Sequence, residues 1–200
     1  MTDTSSALRS FIAVPLPPAI QAEIAGAARE LARELPGVKW SKKPENLHVT
    51  MKFLGPVVPE RLDALGAALA GTLAAVPRFG FVVRGWGAFP SARDARVLFA
   101  DIEEGGSGEG AQALGAVFEI VEATAAWFGF AREQRRFTAH VTVGRCERRG
   151  GLDARAALAP WTDRVFGAVT VEEVHVYESQ LGGEGSTYVL RSRAPLGASN

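Results

Sequence analysis

Two hundred residues carry 22 Lys and Arg against 22 Asp and Glu, a 47% hydrophobic fraction and one cysteine. A chain of this size makes one large domain or two small lobes and buries roughly 70% of its unfolded surface, so it needs no staples. Zero net charge argues against a strongly basic, groove-filling nucleic-acid binder while leaving room for a local basic site, and a lone Cys146 excludes an internal disulfide framework and suits a reducing compartment.

Residues 1 to 9 are polar and expected to be loose. Ser10 to Val14 reads as a first strand, ended by the prolines from Pro15 to Pro18. The apolar run Phe11 to Leu16 is too short for a secretion signal, and no run approaches the roughly 20 residues of a membrane helix, so the cytoplasm is the expected compartment. Ala19 to Leu35 has helical spacing (Ile20, Ile24, Ala27, Ala28, Leu31, Leu35) and stops at Pro36-Gly37. Val38 to Trp40 reads as a short extended piece, followed by the loop Lys43-Pro44-Glu45-Asn46 and an apolar strand that begins at His48 and stops at Gly55-Pro56. Pro59 and Glu60 open a second helix carrying Leu62, Leu65, Leu69 and Leu73. Phe79 to Trp86 alternates as a strand, Gly85 to Ala95 reads as a turn-rich connection, and Val97 to Ile102 pairs back. Glu103 to Gly110 reads as a flexible loop; it lacks the Gly-Lys-Ser/Thr ending of a phosphate-cradling loop. Ala111 to Phe128 is a third helix with Leu114, Val117, Phe118, Val121 and Ala125 on its apolar face. A basic segment, Arg132 to Arg136, leads to a second apolar strand from Phe137-Thr138 to Gly144-Arg145. Leu152 to Trp161 reads as a short helix or turn. Strands at Phe166 to Val171, Val174 to Tyr177 and Thr187 to Leu190 close the chain, with Gly182 to Gly185 as a hairpin loop.

One pattern occurs twice, at His48-Val49-Thr50-Met51 and at His140-Val141-Thr142-Val143. Side chains alternate faces along a strand, so each copy presents one imidazole and one hydroxyl to the same side. A single His-x-Thr arises by accident in about one chain in five of this size, and two copies in apolar runs are far rarer. The chain has only three histidines, and two of them carry the pattern. The copies stand 92 positions apart, which suggests two similar lobes whose sheets cross to form a groove floored by both histidines. Two imidazoles on either side of one centre suit in-line displacement at phosphorus: one takes a proton from the attacking water and the other protonates the leaving oxygen. The threonines can donate hydrogen bonds to non-bridging oxygens as their charge grows. No cofactor or metal is expected: the chain has no His-x-x-x-His, no Cys-x-x-Cys and no acidic residue beside either motif. It has no Gly-x-Ser-x-Gly either, which removes support for a serine hydrolase.

The paired motifs resemble those of the two-histidine phosphoesterase superfamily, and within it the chain is similar to the LigT-like RNA 2',3'-cyclic phosphodiesterases, once named 2'-5' RNA ligases. The likeness includes Arg9 to Val14, Trp40 ahead of Pro44 to His48, Lys52-Phe53-Leu54-Gly55, and Gly87-Ala88-Phe89-Pro90-Ser91. It continues with Phe137 ahead of His140, Arg145, and Tyr177-Glu178-Ser179. Where the family usually has proline before the second histidine there is Ala139. The resemblance implies one bilobal α+β domain spanning residues 1 to 200, with antiparallel-rich sheets facing across a central cleft and helices outside. It implies hydrolysis of 2',3'-cyclic phosphate ends to 2'-phosphomonoesters, with His48 as proton donor, His140 as proton acceptor, and Thr50 and Thr142 holding the phosphate. The expected partner is RNA with a 2',3'-cyclic phosphate end or a small cyclic nucleotide, met by a monomer with no membrane contact.

Lys52 shares strand parity with His48 and Thr50 and is a candidate phosphate contact; its plainer role is a solvated lysine at a strand end. Arg145 is a second candidate substrate-binding residue, on the opposite parity from His140, so that it needs a bulge or the strand's end to reach the site. Trp40 and Phe137 can stack a base, although core packing is the expected role of each. Arg132 to Arg136 and Arg148-Arg149 can steer RNA or form a solvated face. His175, between Val174 and Val176, reads as a structural or exposed strand residue. Two other readings remain: the same enzyme acting on a small cyclic nucleotide or joining RNA ends through a 2'-5' bond, and a non-catalytic RNA-binding module. Binding alone does not require a matched acid and base.

Overall fold

The computed structural model of the chain describes residues 7–103, 109–147, 150–183 and 185–198. Nine strands, β1 (Leu8–Pro15), β2 (Val38–Trp40), β3 (His48–Val57), β4 (Phe79–Ser91), β5 (Asp94–Glu103), β6 (His140–Cys146), β7 (Val165–Val171), β8 (Glu173–Gly182) and β9 (Gly185–Pro195), form one antiparallel sheet among the described residues. Its order is β7-β4-β5-β6-β3-β1-β8-β9, with β2 added to β6. The helices are α1 (Pro18–Leu31), α2 (Pro59–Leu73), α3 (Glu109–Trp127) and the single turn α4 (Arg155–Leu158). The expected α+β fold with antiparallel-rich lobes is present. The two lobe sheets, β6-β5-β4-β7 and β3-β1-β8-β9, are fused edge to edge instead of crossing as separate layers.

The β3-β1-β8-β9 lobe draws its strands from both ends of the chain and the β6-β5-β4-β7 lobe from the middle, so the lobes are not its two sequential halves. β1, from the N-terminus, lies between β3 and β8, and its Phe11, Ile12, Ala13 and Val14 are all buried. A strand covered on both faces reads as a continuous apolar run, which is how Ser10 to Val14 reads. α2 buries Leu62, Leu65, Leu69 and Leu73 completely, the stripe that its spacing predicts. It approaches β9 so closely that a Cβ on Gly66 would overlap Ser192. α3 buries Leu114, Val117, Phe118, Val121 and Ala125 against the sheet. Such burial is worth about 1.5–3 kcal/mol for each large apolar side chain.

Three expectations about the elements are corrected. Gly85 to Ala95 is not a turn-rich connection: β4 continues through it to Ser91, and only Ala92 and Arg93 separate it from β5. The ladder between β4 and β7 ends at Arg84 opposite Val165, so beyond that point β4 is an edge strand and Pro90 has no neighbour on its open side to disappoint. The second motif strand begins at His140 instead of Phe137, whose ring stacks on Phe118 of α3 at 4.4 Å. α1 ends at Leu31, although Leu35 is still buried through a tighter turn that closes on the Leu31 carbonyl, and Gly37 turns the chain at φ 89°. The expected loop from Glu103 to Gly110 falls largely outside the described residues, and α3 begins within it at Glu109.

Candidate active site

β3 and β6 meet at one pair, Val49 opposite Val141. In an antiparallel pair centred there, His48 lies toward Thr142 and Thr50 toward His140, related by a local twofold axis through the valines. Beyond this contact the strands part, and β2 takes over the edge of β6 from Gly144 to Cys146. The cleft that opens has a volume of about 1090 Å³ and is lined by both histidines and both threonines. All four catalytic candidates are therefore brought together.

The two histidines are held alike. Nδ1 of His48 donates to the Asn46 carbonyl at 2.6 Å, and Nδ1 of His140 donates to the Thr138 carbonyl at 2.7 Å. A carbonyl only accepts, so in both rings Nδ1 carries the proton and Nε2 is the nitrogen free for acid–base work. In His48 that Nε2 meets Thr50 Oγ1 at 3.0 Å. Aromatic rings brace each imidazole: Phe11 stacks on His48 at 4.9 Å and Tyr188 meets its edge at 5.4 Å. Phe89 and Phe99 stand 5.0 and 5.2 Å from His140. Gly87 makes room for the Phe99 ring, since a Cβ there would come within 2.3 Å of it. The Gly87 to Ser91 segment thus builds one wall of the His140 site.

Burial pushes the His48 imidazole down to about 4, opposed by the Asn46 carbonyl and aided by the charge of His140. Burial also lowers His140; the Thr138 carbonyl opposes it, Arg145 adds to it and Asp101 opposes it. Both rings are neutral in the free protein near pH 7.

A bulge in each motif strand decides what else faces the cleft. Residues opposite each other in a ladder share a face. On β6, Thr142 opposes Phe99 and Arg145 opposes Val97, with Val143 the extra residue. Phe99 and Val97 are two apart, so Arg145 shares the face of Thr142, by the bulge it required. On β3, Thr50 opposes Ala13 while Lys52 opposes the fully buried Ile12, with Met51 the extra residue. The expected parity of Lys52 with His48 and Thr50 is therefore overturned. Lys52 turns toward α3, where its buried ammonium binds Glu122 at 2.6 Å and the Ala131 carbonyl at 2.8 Å. Phe53, five residues after His48 as Arg145 is five after His140, takes the cleft face instead and is 70% exposed.

The other candidates are placed as follows. Trp40 packs on Gly144, and Phe137 packs on Phe118 while bordering the cleft. Arg132, Arg135 and Arg136 line the cleft; Arg148 and Arg149 lie outside the described residues. His175 is buried between the Tyr177 hydroxyl and Glu173. Phe11, Phe53, Phe99 and Tyr188 carry no site signal in their own spacing and are brought in by the ladder registers, and Asn46 enters through its carbonyl on His48. The cleft lining carries eight Lys and Arg but only two Glu, in a chain whose total charge is zero. No three His, Cys, Asp or Glu side chains gather as a metal-ligand set among the described residues.

A fused antiparallel sheet that joins two His-x-Thr strands at the floor of a basic cleft defines the two-histidine phosphoesterase class. The pattern of the LigT like phosphoesterase family matches residues 14–99. The chain is 30% identical over 183 residues to the RNA 2',3'-cyclic phosphodiesterase of Archaeoglobus fulgidus, covering 90% of this chain and 96% of that protein. A phosphoesterase crystal structure superposes with a TM-score of 0.72 at 25% identity, over 96% of this chain and 99% of the other. Escherichia coli LigT complexed with 3'-AMP shares the fold, with a TM-score of 0.71 at 24% identity over 95% and 98% of the two chains. The chain belongs to the LigT-like phosphoesterase family.

Proposed function

We propose that this chain hydrolyses 2',3'-cyclic phosphate ends of RNA to 2'-phosphomonoesters, using His48 and His140 as acid and base. The observation that carries the reading is the pairing of the two motif strands at Val49 and Val141, which directs two Nδ1-protonated imidazoles into one basic cleft.

A water oxygen attacks phosphorus in line with the P–O3' bond while His140 Nε2 takes its proton. The P–O3' bond breaks as His48 Nε2 gives a proton to O3', leaving a 2'-phosphate and a 3'-hydroxyl. The assignment of His48 as acid and His140 as base follows the family resemblance. Because both rings are neutral in the free protein, the charge on the acid is favoured by the negative phosphodiester itself. Thr50 and Thr142 donate to the non-bridging oxygens, and Arg145 adds a forked cation on the His140 side. Lys52, with two of its three donors held by Glu122 and Ala131, acts on substrate through the wall it anchors: the other oxygen of Glu122 accepts the Glu133 N–H at 2.9 Å, where the basic segment begins.

Cations that line the cleft beyond the two motifs, at Lys39, Lys42 and Lys43 and at Arg132, Arg135 and Arg136, favour an RNA strand over a lone cyclic nucleotide. No described helix is long and apolar enough to cross a membrane. The one cysteine suits a reducing compartment, and the cytoplasm is the proposed site of action, by a monomer.

The test is turnover of a short RNA ending in a 2',3'-cyclic phosphate, in EDTA, by the wild type and by His48→Ala and His140→Ala. Each variant should lose about 10²–10⁴ in kcat while unfolding at the wild-type temperature; full activity in either would sink the mechanism. A folded wild type that binds the RNA without opening it would point to the binding-module reading.

A further inference from the structure

Tyr188 belongs to neither motif and to no element that the sequence marks as functional, yet β9 delivers it to the cleft beside His48. Its ring meets the edge of His48 at 5.4 Å and of Phe11 at 4.7 Å. The ring is half-buried, and its hydroxyl has no hydrogen-bond partner among the described residues. Arg145, on the opposite lobe, is near enough to pull on the phenol, as is Arg9. Tyr188 lines the same cleft as His48, His140 and Arg145, the space a bound phosphate would enter.

Two further contacts hold it there. The Asn46 amide donates to the Ser186 carbonyl at 2.8 Å, and Lys43 Nζ donates to Thr187 Oγ1 at 2.7 Å. The same Asn46 supplies the carbonyl that orients His48. One residue thus ties the histidine and the tyrosine into a single frame. The twofold relation of the motif strands sharpens the point. On the His140 side the bulge presents Arg145; on the His48 side the equivalent position is Phe53, which offers no donor.

We propose that the Tyr188 hydroxyl is a further catalytic group, donating a hydrogen bond to a non-bridging phosphate oxygen on the His48 side and supplying the contact that Phe53 does not. The inference rests on the cyclic phosphodiesterase reading above. Burial pushes the phenol up from its ordinary value, with Arg145 and Arg9 opposing, so it stays a donor across the working pH range. Negative charge on that oxygen grows toward the transition state, so the contact should act on kcat more than on KM.

Tyr188→Phe keeps the ring and both edge contacts and removes only the donor. Assayed on short RNAs ending in adenosine or in cytidine 2',3'-cyclic phosphate, it should lose about 10- to 100-fold in kcat/KM. Most of the loss should fall in kcat, equally for the two bases, with the unfolding temperature unchanged. In an Asn46→Ala background, where the hairpin tie is gone, the same substitution should cost several-fold less. Kinetics within twofold of wild type would overturn the proposal. So would a loss confined to one base, which would make the hydroxyl a reader of the nucleobase. A wild type that leaves both RNA ends intact would overturn the parent reading and this one with it, whereas an active wild type matched by Tyr188→Phe overturns the role of Tyr188 alone.

Discussion

His48 and His140 are chemically twinned and electrostatically unequal. Each donates Nδ1–H to the carbonyl two residues earlier, yet His48 is pushed down to about 4 and His140 is also lowered. A base works only when neutral and an acid only when protonated, and kcat/KM reports the groups of the free enzyme. The kcat/KM profile should therefore be bell-shaped with both limbs below pH 6.5, one of them near 4. The kcat profile should extend to higher pH, because bound phosphate favours the imidazolium. A kcat/KM optimum above pH 8 would contradict this. The same shifts act on stability. Both folded values lie below the unfolded 6.5, so the unfolded chain takes up protons first as pH falls. The contribution to stability is whole above pH 6.5 and is lost between there and about 4, a decline that urea midpoints at several pH values would follow.

At the scale of the element, the two bulges have the largest consequences. An ideal strand would put Lys52 on the face of His48 and Thr50 and Arg145 on the face opposite His140; one extra residue in each strand exchanges those parities. Lys52 and Glu122 then form a buried pair that holds the Glu133 amide, at the root of the basic wall. Removing one partner of a buried pair leaves the other uncompensated, so Lys52→Met should cost about 3–5 kcal/mol of stability by urea unfolding. Replacing both, as Lys52→Met with Glu122→Leu, should recover much of it. A direct phosphate ligand would behave otherwise: Lys52→Met would leave stability alone and raise KM.

Across the whole molecule, charge is segregated. A chain with 22 cations and 22 anions gathers eight Lys and Arg against two Glu around one cleft, leaving an excess of acid elsewhere. Such a field steers a polyanion and is screened by salt. If three or four phosphates of a single strand are neutralised, log kcat/KM for an oligonucleotide should fall against log salt with a slope of about −2 to −3. A lone cyclic nucleotide should show a slope no steeper than about −1, for its single charge. Equal slopes for the two would limit the site to the terminal nucleotide and return the small-nucleotide reading to the front.

By itself the sequence determined the two His-x-Thr strands, the shared face of His and Thr in each, and the apolar stripes of α1, α2 and α3, because these depend on periodicities of two and 3.6 that a chain carries locally; the α+β class came through the family resemblance of the motifs. The sequence also carried much of the His140 wall, through Gly87 to Ser91, although as a supposed turn. Only the tertiary structure decided which side chains join those four. The pairing of Val49 with Val141, the extra residues Met51 and Val143, and the entry of Phe11 and Tyr188 from the two ends of the chain all depend on strand register. Register is a relation between distant segments, and one inserted residue reverses the face of every side chain beyond it.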